Sequence, residues 1–259
     1  MRLVDFGGRH EWLLNSQLGN GSHNAYHSQF QFTILRAEKN TRRQDVEKMR
    51  MLYLHKPSAD ILARFVEQQR KLDFNYSAVG ATALTPPSGY TVDGTRIELG
   101  TGEEVFDAAK LALLNWQQFR LGWVDVWSAE TPLEIGQVVA IMGQAVGLWW
   151  LNACRIVYTI DESGPISRFG FAYGTLPGHV ESGEERFLIE WDQDTDRVTY
   201  EILAFSKPNH ILTRLGYPLV RRSQKRFGRD SAASMFRAVN EAQIVPKVYQ
   251  HTGLMSQAS

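Results

Sequence analysis

Apolar positions change their period along this chain, and the changes mark out its elements. After Pro57, Ser58 is placed to N-cap a helix that runs to about Lys71, with Ile61, Leu62, Phe65, Val66 and Leu72 on one face. Tyr76–Leu84 is apolar-rich and short, which predicts a first strand. Tyr90–Leu99 reads as a hairpin turning at Asp93-Gly94. A second helix is expected over Glu103–Phe119, acidic at its start and carrying Val105, Phe106, Ala109, Leu113, Leu114 and Trp116, with Gly122 as its stop. Six runs without helical spacing follow: Trp123–Ser128, Gln137–Val146, Trp150–Ile160, Arg168–Gly174, Glu185–Trp191 and Val198–Phe205. Their spacing and turn residues predict an antiparallel meander. Asn209–Leu215 reads as a short helical turn. After Pro218 helical spacing returns over Leu219–Ala242, ending near Pro246, with Val220, Phe227, Ala232, Met235, Phe236 and Val239 apolar. This order predicts an α+β helix-grip domain, a curved antiparallel sheet wrapped around a long C-terminal helix.

Composition sharpens the boundaries. Hydrophobic residues make up 43% of the 259, enough for a real core. Residues 19–31 are rich in Gly, Asn, Ser, His and Gln, and 36–50 are dense in mixed charge, so 1–55 reads as an N-terminal extension, 56–245 as the domain and 246–259 as a tail. Formal net charge is zero but unevenly spread: residues 36–56 carry +4, 57–206 carry −11 and 207–259 carry +7. The basic segments either fold back on the acidic body or form a face for phosphate or anionic lipid. One cysteine, Cys154, excludes an internal disulfide framework and a multi-cysteine zinc site. The first 20 residues include Arg2, Asp5, Arg9 and Glu11 and hold no apolar run of signal-core length, which makes a cytoplasmic location the expectation. The apolar stretch Leu133–Cys154 is interrupted by Glu134, Gln137, Gln144 and Asn152, so two strands explain it better than a membrane span.

The string FGFAYGTLPGHVESGEERF from Phe169 to Phe187, with YSAVGAT (Tyr76–Thr82) and CRIVY (Cys154–Tyr158), resembles the domain-of-unknown-function family nineteen-ninety. The later AFSKPNHILTRLGYP and RRSQKRF segments are similar too, so the likeness covers about residues 57–240. It implies a fold like that of the birch-pollen-allergen and START-like lipid-binding superfamily. It brings no reaction, cofactor or catalytic residue with it.

Strand alternation places Phe169, Phe171 and Tyr173 on one face, as it does Phe187, Ile189 and Trp191, and Val198, Tyr200 and Ile202. If these look inward, the concave face suits an apolar ligand and equally suits an ordinary core. In the loop Gly174–Gly183, His179 and Glu181 precede Glu184 and Glu185. The set fits an acid/base pair or a metal site by residue type, but the spacing matches no known ligand motif, and a turn held by side-chain hydrogen bonds, with Glu184 or Glu185 paired to Arg155 or Arg186, remains the alternative. Arg155 anchors a ligand carboxylate or phosphate if it faces inward, with Tyr158 and Tyr173 adding hydroxyls. Arg221, Lys225 and Arg229 form a basic stripe beside Arg222 and Arg226, a surface for phosphate or simply a solvated face. No G-x-S-x-G elbow, P-loop or dinucleotide fingerprint occurs, so no cofactor is expected. The favoured expectation is a binder of a hydrophobic small molecule or lipid, held between sheet and C-terminal helix by Arg155, Tyr158, Tyr173, His179, Glu181, Glu185, Trp191 and Tyr200. The alternatives are an enzyme using His179 with Glu181 or Glu185, and an interaction module binding nucleic acid or anionic membrane through its basic helix. Nucleic acid is the less favoured partner.

Overall fold

The computed structural model describes residues 52–209 and 217–255, with side chains through residue 243. The extension up to residue 51, the expected helical turn from residue 210 to Leu215 and the last four residues lie outside the described residues.

One antiparallel sheet organises the molecule. Its strands are β1 (Leu52–Tyr53), β2 (Thr91–Thr101), β3 (Val124–Trp127), β4 (Val138–Ala145), β5 (Leu148–Glu162), β6 (Ile166–Thr175), β7 (Glu181–Asp192) and β8 (Arg197–Pro208). The spatial order is β2-β8-β7-β6-β5-β4-β3, and β1 adds to β5 at Trp149 and Trp150. Strands β3 to β8 are thus an up-and-down meander, and β2 closes its far edge by pairing with β8. The six expected runs are all strands, and Leu133–Cys154 is a loop followed by β4 and the start of β5. No described helix is long and apolar enough to cross a membrane.

Three helices cover this sheet: α1 (Ala59–Gln69), α2 (Glu103–Leu114) and α3 (Tyr217–Met255). Two cores result. On the concave face, α2 and α3 bury a cluster that includes Phe171, Phe187, Ile189, Tyr200, Met235 and Val239. On the convex face, Leu62 and Val66 of α1 pack on Val138, Ala140, Met142 and Leu151. Strand alternation separates the two sets, because successive side chains leave the sheet on opposite sides. The helix-grip arrangement expected from the element order is present.

Four local expectations fail. Tyr76–Leu84 is not a strand but an irregular strap with a 3-10 turn at Ala81–Ala83, and its backbone N–H groups at Gly80 and Thr82 bond to the Glu184 carboxylate instead of a ladder. Asp93-Gly94 is not a hairpin turn: both residues continue β2 opposite Ala204 and Leu203. The second helix stops at Leu114, because Trp116 takes a left-handed backbone (φ 56°) that buries its indole, and a separate 3-10 turn holds Gln117–Phe119. The last helix does not end near Pro246 but continues to Met255, and Phe236 of its expected apolar face is 45% exposed.

Candidate functional site

A cavity of about 350 Å³ lies between the concave face and the first turns of α3. Its apolar wall includes Phe119, Ile141, Ile202, Val220 and Phe227. Alternation along β7 sends Glu181, Gly183 and Glu185 to this side, and α3 contributes Gln224 across from them. The helix can lie this close because position 228 is glycine: a Cβ there would sit 2.5 Å from Thr95 Oγ1 on β2.

Four of the residues expected from the sequence line the cavity: Tyr173, His179, Glu181 and Glu185. The Tyr173 hydroxyl donates to Glu185 Oε2 at 2.6 Å. Gln224 Nε2 donates to Glu181 Oε1 at 2.6 Å, and Ser206 adds a longer bond at 3.3 Å. Gln224 is itself fixed by Arg221, whose guanidinium donates to Gln224 Oε1 at 2.6 Å and grips both oxygens of Asp93. His179 accepts the backbone N–H of Glu181 at Nδ1 (3.0 Å), so in the neutral ring Nε2 carries the proton. Among the described residues nothing bonds to Glu185 Oε1, Glu181 Oε2 or His179 Nε2, and the buried Trp150 Nε1 on the same wall is also without an acceptor.

Burial dominates the electrostatics. It pushes His179 down to about 4, so the ring is neutral at physiological pH. It pushes Glu185 up to about 7 against the Tyr173 hydrogen bond, with repulsion from Glu181 and Asp93 adding to the rise. Glu181 also rises to about 7, held back by Gln224, Ser206 and Arg221. Two carboxyl groups therefore change charge near neutrality beside a mostly apolar wall.

The other four expected residues lie elsewhere. Arg155 faces the convex side, where its guanidinium donates to the carbonyls of Gln69, Arg70 and Leu72 and lies over Phe74, closing the C-terminal end of α1. Tyr158, expected to add its hydroxyl beside Arg155 and Tyr173, follows a bulge between Ile156 and Tyr158, and its hydroxyl pairs with that of Thr82 instead. Trp191 packs on Phe106 and donates to Asp196, and Tyr200 is fully buried against Ser231. The expected pairing of Glu184 or Glu185 with an arginine is also absent. Glu184 instead accepts from the Tyr76 hydroxyl, the Gly80 and Thr82 N–H groups and the Thr82 hydroxyl, while Arg186 pairs with Glu201. Since Glu184 leaves β7 on the opposite face, the four-residue ligand set suggested by the loop is split, and no group of three or more metal-ligating side chains forms among the described residues. Burial pushes the Cys154 thiol well up, away from a thiolate.

Sequence reasoning missed Asp93, Ser206, Arg221 and Gln224 as site residues. Their signal was positional: Asp93 and Ser206 lie opposite each other's neighbours only once β2 is recognised as one strand. The glycines of the YGTLPGH string have steric causes. A Cβ at Gly174 would overlap the Tyr76 ring and hydroxyl, and one at Gly178 would meet Gln69 and Phe65.

Comparison with known proteins agrees with the string that first stood out. The profile of the family described as domain of unknown function (DUF1990) matches residues 75–234. A UPF0548 protein of Dictyostelium discoideum is 40% identical over 217 residues, covering 76% of this chain and all of that protein. Among solved structures, human STARD10 aligns over 76% of this chain and 84% of its own at 12% identity and a TM-score of 0.38, and Ara h 8.0201 over 57% and 99% at 10% and 0.38. With a profile match across more than half its length and a full-length relative at 40% identity, the chain belongs to the DUF1990 family.

Proposed function

We propose that this protein binds an apolar small molecule in the cavity between its sheet and α3. The observation that carries the reading is a space of about 350 Å³, within the range of small-molecule sites, whose wall is mostly apolar and on which Glu185 Oε1, Glu181 Oε2 and His179 Nε2 lack a partner among the described residues. An ordinary core closes such a space, since unfilled volume costs stability. Here one wall position, Gly143, carries no side chain although a Cβ there would meet no atom within 4 Å. Titration of the full chain with a neutral apolar fluorophore such as N-phenyl-1-naphthylamine tests this. One-to-one saturable enhancement is expected, and an enhancement that never saturates contradicts it.

A second reading is favoured by one specific observation. Glu185, Glu181 and His179 share one cavity wall, where burial pushes both carboxyl groups up to about 7 and keeps the imidazole neutral, which suits proton transfer to or from a bound molecule. Incubation of captured ligand with protein, followed by mass spectrometry, separates binding from turnover by whether the ligand's mass or isomer changes. The basic-helix reading draws less support. Arg221 is committed to Asp93, and Arg226 to Asp230 and the Trp123 ring, which leaves Arg222, Lys225 and Arg229 of the stripe exposed and without ion pairs among the described residues.

A further inference from the structure

The chemistry of the cavity selects among apolar ligands. We propose that the site takes an apolar molecule carrying a basic nitrogen, whose protonated form pairs with Glu185 as principal counter-ion and with Glu181 in support. The inference rests on the cavity being a ligand site.

The argument is a census of charge around Glu185. From β7 come Glu185 and Glu181, and from β2 comes Asp93. The β6–β7 loop gives His179, which is neutral, and β6 gives the Tyr173 hydroxyl, which is already donated to Glu185. From β8 come Ile202, Ala204 and Ser206, and from β5 Trp150 and Asn152, none charged. The α3 helix brings Arg221, whose guanidinium is consumed by both oxygens of Asp93 and by Gln224. Glu184 also borders the cavity, but both of its oxygens are filled by Tyr76, Gly80 and Thr82. Among the described residues the cavity thus has two under-bonded carboxyl groups and no uncommitted cation.

A ligand with a carboxylate or phosphate meets like charge there once the glutamates ionise, whereas an ammonium supplies the donors that Glu185 Oε1 and Glu181 Oε2 lack. A ligand without a donor fills the space and leaves both oxygens unpaired, and an alcohol offers a single neutral O–H, a weaker bond than one from an ammonium. Binding a cation also draws the carboxyl protons off, so the site adjusts its own charge to an amine in a way it does not for an alcohol.

The test compares three probes of one chain length, octylamine, octanol and octanoate, each displacing N-phenyl-1-naphthylamine from the full chain. At about pH 8 the amine is expected to bind roughly tenfold or more tightly than the alcohol, the margin of a charge-assisted hydrogen bond. That advantage should shrink as pH falls to about 5.5, where octylamine is still charged and Glu185 and Glu181 are not. Glu185→Gln should erase most of it while octanol binding stays within about threefold. The pH series on unaltered protein gives the same answer if the variant does not fold. Octanol or octanoate binding as tightly as octylamine at pH 8, or an amine preference independent of pH, overturns the inference and leaves the cavity a ligand site. Failure of all three probes and of the fluorophore overturns both.

Discussion

Two glutamates adjacent in the chain meet opposite environments. Glu184 leaves β7 on the convex face and is filled by four donors from Tyr76, Gly80 and Thr82. Glu185 leaves on the concave face and has one donor, Tyr173, with its second oxygen on the cavity wall. A carboxylate saturated with protein hydrogen bonds holds structure, here the strap Tyr76–Leu84 over the sheet. One left under-bonded beside open space holds a place for something else. The same division extends to the faces as a whole: the convex core is closed by α1, and the concave core stays open where α3 begins.

The sharpest way to break this contrast is to remove Glu184. Glu184→Ala orphans several buried donors at once and should cost about 3–5 kcal/mol in urea unfolding. A loss under about 1 kcal/mol means the strap is held by other contacts. On the other face, a side chain at Gly143 starts in open space, since a Cβ there meets no atom within 4 Å. Gly143→Phe should fold with stability changed by less than about 1.5 kcal/mol, yet weaken fluorophore binding by roughly tenfold or more. Retained binding would place the ligand elsewhere.

The Glu185 environment gives a signed pH dependence. Glu181 and Glu185 rise to about 7 from an ordinary 4.5, so across that interval the native state holds protons the unfolded chain has released, and stability falls as pH rises. His179 acts in the opposite sense. Lowered from 6.5 to about 4, it makes the unfolded chain the better proton binder in that interval, and stability falls as pH drops. Between about 4.5 and 6.5 the histidine offsets one glutamate. Above that only the glutamates contribute. Glu185→Gln, which keeps an acceptor for Tyr173, should therefore raise stability by about 1–2 kcal/mol at pH 8 and by almost nothing at pH 4.5, read from thermal unfolding at both. The smallest expected effect belongs to Arg155. Arg155→Ala removes its bonds to the end of α1 and should cost about 1 kcal/mol, with fluorophore affinity unchanged within twofold.

Much of this fold was legible because its strongest signals are periodic. Six strand runs, α1 and the amphipathic stretch of α3 announce themselves by spacing, and Phe171, Phe187 and Tyr200 fall on the concave side as alternation requires. What failed depended on partners distant in sequence. Asp93-Gly94 has the residues of a turn, yet β8 offers both flanks a ladder, and pairing wins over local preference. The strap was mistaken for a strand because its apolar content was visible and its hydrogen-bond partner, Glu184, was a hundred residues away. Within the site, strand parity singled out Tyr173, and closeness in the loop sequence grouped His179 with Glu181 and Glu185. Tyr158 was expected there by residue type, without the bulge that precedes it in view, and Arg155 stayed open because type alone does not tell a helix cap from a ligand anchor. Gln224 carried no signal as a site residue until α3 was laid against β7.

The most direct test of the central claim is methyl NMR of the full chain during titration with a neutral apolar probe. Ile141, Ile202 and Val220 line the cavity, while Leu62, Val66 and Leu151 form the convex core. The account expects saturable shifts in the first set and still resonances in the second. Shifts centred on Leu62, Val66 and Leu151, with the cavity methyls unmoved, would contradict it.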